Sequence, residues 1–122
     1  MLNHRNLVQS FKYAFSGLFH AFRYSQNLRI HLLVGVIVTL FAVYLGVSHF
    51  EMGILGLMIL LVMASEMINT SIEEMVDLIT IEHRKEARVA KDVAAGMVLL
   101  TALGSIIVGI LIFTPYILKL FK

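Results

Sequence analysis

Glu66, Asn69, Glu73 and Asp77 follow one another at spacings of three, four and four residues. At 100° per residue on a helix, they share an arc of roughly 80°. Met67, Ile68, Ile72, Met75 and Val76 fill the rest of the circumference, with Thr70 at the polar edge and Glu74 further round. The stripe continues an apolar run, so its first members sit inside a membrane if the run does. A charged side chain at the centre of a spanning helix costs on the order of 3 kcal/mol, and like charges one turn apart add repulsion. A bound cation offsets both costs. Carboxylate oxygens suit a hard cation such as Mg²⁺, which keeps several waters and shares its sites with phosphates. A carboxylate taken out of water also suits a general base. Interhelical hydrogen bonds or a proton path are the plainer alternatives, but packing alone does not call for three carboxylates and an amide on one edge.

A second cluster, Ala90-Lys91-Asp92-Val93-Ala94-Ala95-Gly96, stands where the last long apolar run begins. Lys91 and Asp92 can meet phosphate and a nucleotide or metal there, and they equally suit an ordinary interfacial anchor. Ala90, Ala94, Ala95 and Gly96 allow close helix approach. Neither G-x-x-x-x-G-K-[ST] nor G-x-G-x-x-G occurs. A bound nucleotide must therefore be held by acidic side chains with a metal, helped by Lys91.

The elements that position these residues are legible from the charges. Ile30–Phe50, Met52–Ser65 and Val93–Leu118 lack Asp, Glu, Lys and Arg over 21, 14 and 26 residues. A spanning helix needs about 20 apolar residues. The first and third runs suffice, and the second does so only if its helix continues through Glu66. No Gly after Gly56 and no Pro interrupts it as far as Ile81. Upstream, Leu7, Phe11, Ala14, Phe15, Leu18 and Phe22 recur at helical spacing, with Lys12, Ser16, His20 and Arg23 opposite. This pattern predicts an amphipathic helix lying in the headgroup region; a helix packed on the protein's own bundle is the alternative. The expected fold is an all-α membrane protein of three transmembrane helices preceded by that interfacial helix. One domain covers residues 1–122, with the interfacial helix at about 4–24 and long helices at about 29–48, 51–80 and 88–119.

Arg5, Lys12, Arg23 and Arg29 precede the first span, and Arg84, Lys85, Arg88 and Lys91 lie between the second and third. That side is cytoplasmic by the positive-inside rule, which puts the N-terminus inside and the C-terminus outside. Composition agrees with membrane burial: 59% of residues are hydrophobic and 15% charged, and the mean hydropathy is +0.88. Too little polar surface remains to coat a water-soluble domain this small. A net charge of +2 gives no reason to expect nucleic acid, and the absence of cysteine rules out disulfides and thiolate metal sites.

Glu66-x-x-Asn69-Thr70-x-Ile72-Glu73-x-x-Val76-Asp77, followed by Ala90-Lys91-Asp92-x-Ala94-Ala95-Gly96-x-Val98-Leu99-Leu100, resembles the prokaryotic diacylglycerol kinase and undecaprenol kinase family. The resemblance covers nearly the whole chain. It implies a homotrimer with composite active sites in a bacterial-type cytoplasmic membrane, transferring the γ-phosphate of MgATP to a lipid hydroxyl. By match to the motif, Glu66 is the expected general base and Glu73 the metal ligand. Asn69 and Asp77 would line the nucleotide site, and Lys91 and Asp92 would contact phosphate and nucleotide. One departure stands out. The family's further metal-binding glutamate, in a segment like Glu-x-Asn-x-x-x-His, is Ser25 here, while Asn27 and His31 are kept. Ala94-Ala95-Gly96 with Arg29-Ile30-His31 looks more like the undecaprenol kinase branch, with diacylglycerol as the alternative acceptor. A small proton- or cation-conducting membrane protein is the alternative of another class, although conduction does not require Lys91-Asp92 at the mouth.

Overall fold

The computed structural model describes residues 6–122. Arg5 of the basic count and the first positions of the expected 4–24 helix lie outside the described residues. Among the described residues four helices follow in order: α1 (Leu7–Tyr24), α2 (Gln26–Leu45), α3 (His49–Ile79) and α4 (Lys85–Leu120). The last three are long and apolar enough to cross a membrane.

Local chemistry sets the boundaries. Asn6 caps α1 by accepting the Gln9 N–H at 2.8 Å, and the Gln9 side chain takes the Asn6 N–H at 3.3 Å. α2 starts at Gln26, three residues before the apolar run implies, because the Ser25 hydroxyl accepts the Leu28 N–H at 3.1 Å. It ends at Gly46, whose φ of +69° is a left-handed conformation that glycine adopts without a Cβ penalty. Ser48 and Glu51 form a reciprocal cap at the start of α3. α3 runs unbroken past Glu66 and stops before the extended Thr80. In lipid every backbone group must be paired within its own helix, which favours such uninterrupted spans.

α3 and α4 make the most extensive contact. Asp77 meets Lys91, Ser65 meets Thr101 and Glu51 meets Tyr116. Partner numbers fall on α4 as they rise on α3, so the two helices are antiparallel neighbours. Ser65 Oγ lies 2.7 Å from the Val62 carbonyl and 2.9 Å from Thr101 Oγ1, which lies 2.9 Å from the Val98 carbonyl. Two protons serve three contacts, so one hydroxyl donates across the interface while the other donates to its own helix. α2 packs on α3, and Ala42, Leu55 and Ile112 form the buried core, with Val38, Val108 and Phe113 around them.

Most apolar residues face outward, among them Leu33, Leu40, Leu60, Leu100 and Leu111. Patches of that extent in water mark interaction or membrane surfaces. α1 leaves Leu7, Val8, Phe11, Phe15 and Phe19 uncovered, as suits a helix lying along a membrane surface.

α2 lies tight against α3 at Gly35, where an added Cβ would lie 2.8 Å from Ile59 Cγ2. That branch methyl cannot swing aside. Gly35→Ala is expected to destabilise the bundle by about 1–3 kcal/mol through overpacking. Gly104→Ala, whose Cβ would meet only Met58 Cε at 3.7 Å, should change little. Detergent-unfolding midpoints of the two variants check this, and equal midpoints would show that the α2–α3 seam yields.

Candidate active site

The chain turns a corner between α1 and α2. Ser25 is extended, ends α1 and caps α2. The Arg29 guanidinium reaches back and donates to the Phe22 and Arg23 carbonyls at 3.2 and 2.6 Å, satisfying acceptors that the end of α1 leaves open. Leu28 is fully buried and fixes the corner to the bundle. Between this corner, α1 and the later half of α3 lies a cleft of about 1110 Å³. Ser25, Gln26 and Asn27 line one side, and Glu66, Asn69 and Glu73 line the other.

Glu66 and Asn69 are only 3% and 6% exposed, so neither points at bulk lipid. No donor among the described residues hydrogen-bonds the Glu66 carboxylate. Asn69 Nδ2 donates to Glu73 Oε1 at a long 3.4 Å, while Asn69 Oδ1 is buried with no partner among the described residues. An orphaned buried acceptor costs about 1–3 kcal/mol. It is therefore a place for a donor or a cation.

Among the described residues no three acidic or histidine side chains gather into a metal cage. Mg²⁺ does not ask for one. It is commonly held by one or two carboxylates, with water and substrate phosphates completing its shell. The Glu73 carboxylate and the unpaired Asn69 Oδ1 on one helical edge fit an ion that arrives with a nucleotide.

The other sequence-derived candidates fall in an adjoining cleft of about 800 Å³, formed by the end of α3, the connector and the start of α4. Lys91 Nζ donates to Asp77 Oδ1 at 2.6 Å, and Asp92 lies 3.8 Å from Arg88 Nε in an exposed pair. Exposed pairs of this kind are worth about 0–1 kcal/mol, so phosphate can displace either acid from its cation. His83, Arg84 and Lys85 line the same cleft. The hydrogen bond to Asp77, and to a lesser degree the Glu73 charge, raises the Lys91 pKa above its ordinary value.

The structure thus brings Glu66, Asn69 and Glu73 together with Ser25, and Asp77, Lys91 and Asp92 together beside them. Sequence reasoning missed Gly17, His20, Tyr24 and Gln26, all of which line the larger cleft. Gly17, His20 and Tyr24 lie at helical spacing along α1, and that spacing was the available signal.

A family model described as prokaryotic diacylglycerol kinase matches residues 12–113. A protein of Synechocystis sp. named diacylglycerol kinase is 41% identical over 116 residues, which cover 94% of this chain and 66% of that protein. The Bacillus subtilis undecaprenol kinase is 37% identical over 117 residues, covering 93% of this chain and 95% of its own length. A diacylglycerol kinase of Haemophilus influenzae is 32% identical over 110 residues, covering 88% and 93%. The chain spans just under two thirds of the Synechocystis protein and nearly all of the other two.

Proposed function

We propose, since this chain belongs to the prokaryotic diacylglycerol kinase family, that the larger cleft is where a membrane lipid alcohol meets the γ-phosphate of ATP. As a lipid kinase it takes ATP as phosphoryl donor and a lipid as acceptor. Glu66 takes the proton of the lipid hydroxyl. The freed oxygen attacks the γ-phosphorus, the bond from phosphorus to the β–γ bridging oxygen breaks, and ADP leaves. Glu73, with Asn69 beside it, would hold Mg²⁺, which supplies neutralisation of phosphate charge. Asp77, Lys91 and Asp92 bind the rest of the nucleotide in the adjoining cleft. Phosphoryl transfer asks mainly for such positioning and charge compensation.

The observation that carries this reading is the buried edge of Glu66 and Asn69, whose Oδ1 has no partner among the described residues, facing a cleft wide enough for a headgroup. The preferred acceptor is undecaprenol, supported by the Ala94-Ala95-Gly96 and Arg29-Ile30-His31 segments and by the full-length similarity to the Bacillus protein. Diacylglycerol is the alternative, and relatives bear both names. The basic residues put the clefts on the cytoplasmic side of a bacterial-type inner membrane, with the C-terminus outside. Assembly as a homotrimer, which the resemblance implies, would cover part of the exposed apolar surface.

The test is purified protein in vesicles with γ-labelled ATP, offered undecaprenol and diacylglycerol side by side, with and without Mg²⁺. Label is expected in lipid phosphate, in undecaprenyl phosphate first, and only with Mg²⁺. Ion flux without ATP, and no labelled lipid, would point to the conducting alternative instead. In the same assay Ser25→Glu is expected to strengthen Mg²⁺ dependence or turnover, at a stability cost of about 1 kcal/mol for the lost cap of α2. Identical metal dependence and rate would remove a metal role for that position.

A further inference from the structure

We infer that Gly17 sets which lipid alcohols the cleft admits, an assignment that rests on the kinase reading of the same cleft. Ala14, Gly17, Leu18, His20, Ala21 and Tyr24 line it from α1, so Gly17 leaves a gap beside the larger His20 and Tyr24 in the cleft that Glu66 and Asn69 also line. A Cβ added at Gly17 would meet nothing within 4 Å. The glycine therefore serves no close helix packing, and its φ is not in the left-handed region. What its missing side chain leaves is space, and that space belongs to the cleft.

A gap on a helix face alone would be ordinary in a membrane protein. Here the same cleft is lined by the buried Glu66 and by Asn69, whose buried Oδ1 has no hydrogen-bond partner among the described residues. The buried Glu66 carboxylate, with no donor among the described residues and lining the same cleft as the gap at Gly17, describes a slot for a hydroxyl-bearing chain, while Asn69 Oδ1 is left to the metal. A linear prenol presents one chain behind its hydroxyl, whereas diacylglycerol presents a glycerol branch with two. Bulk at position 17 narrows the slot, so it penalises the branched acceptor more than the linear one. Discrimination by a methylene-sized change in a pocket is about 10-fold or more.

The chain has no cysteine, so bulk can be added after folding. Purified Gly17→Cys is treated with methanethiosulfonate reagents of increasing size, and each product is compared with the unmodified variant. Ser16→Cys, on the same helix but outside the cleft lining, is the control. Larger adducts at position 17 are expected to raise the KM for diacylglycerol by about 10-fold or more, and that for undecaprenol less. The KM for ATP should change less than that for the lipid, since Asp77, Lys91 and Asp92 lie in the adjoining cleft. A diazirine-bearing diacylglycerol, photolysed without ATP, gives a readout independent of turnover, and its crosslinks to α1 and α3 should fade with adduct size. Acceptor preference and crosslinking that ignore adduct size, or that change equally at position 16, overturn the assignment of Gly17. Wild-type protein that labels no lipid refutes the kinase reading instead, and the crosslinking arm still decides whether Gly17 walls a lipid slot.

Discussion

Glu66→Gln should cut lipid phosphorylation by roughly 10²–10⁴-fold while leaving the protein at least as stable as before. The carboxylate is almost fully buried, faces the larger cleft and has no donor among the described residues. Holding a charge there opposes folding, because an ionised side chain at the centre of a spanning helix costs on the order of 3 kcal/mol. Glutamine keeps the shape and removes the charge, so no loss of stability follows from the substitution. Catalysis moves the other way. Glutamine cannot accept the hydroxyl proton, and general-base assistance is worth roughly 10²–10⁴-fold. The expected result is a fall of that size in kcat, an ATP KM within about twofold of wild type, and an unfolding midpoint at or above that of wild type. The divergence is what discriminates: a residue kept for packing loses stability when altered, whereas a residue kept for chemistry loses rate. Retained turnover in Glu66→Gln vesicles would falsify the assignment of the base.

The spans were readable because membrane burial writes itself into charge-free runs. The passage of α3 through Glu66 was readable because neither glycine nor proline offers it a stopping point after Gly56. Helical periodicity also placed Glu66, Asn69, Glu73 and Asp77 on one edge. It could not say which neighbour each would meet, because a long helix changes partners along its length. Glu66 and Asn69 face the corner between α1 and α2, while Asp77 has passed on to Lys91 of α4. The division into two clefts is therefore a tertiary fact that a helical wheel does not contain. Ser25 makes the same point from the other side. In sequence it is a missing carboxylate, whereas in the fold its hydroxyl caps α2 and shapes the corner that borders the cleft. Arg29, read in sequence as a topological charge, ties off the carbonyls at the end of α1. Both roles depend on a turn whose geometry no periodicity announces.

Glu73→Gln separates a metal role from a merely local one. In the structure Glu73 Oε1 accepts the Asn69 amide at 3.4 Å, and glutamine offers the same acceptor. If that hydrogen bond were its whole purpose, the variant would behave as wild type. A ligand to Mg²⁺ behaves differently, since a neutral amide oxygen holds a hard dication far less well than a carboxylate does. The variant is expected to lose on the order of a hundredfold in rate at low Mg²⁺, with part of it restored as Mg²⁺ rises at fixed ATP. Asp77→Asn is the companion measurement. Its carboxylate pairs with Lys91 in a mostly exposed bridge, so its loss should weaken ATP binding and leave the Mg²⁺ requirement alone. Initial rates titrated with Mg²⁺ for the two variants should therefore split, Glu73→Gln shifting along the metal axis and Asp77→Asn along the nucleotide axis. A Glu73→Gln curve superimposed on wild type, with Asp77→Asn also sparing the Mg²⁺ requirement, would leave Asn69 Oδ1 and Glu66 as the acidic edge's remaining candidates for the ion. The metal would then have to sit deeper in the cleft, beside the lipid hydroxyl rather than toward the adjoining cleft of Lys91.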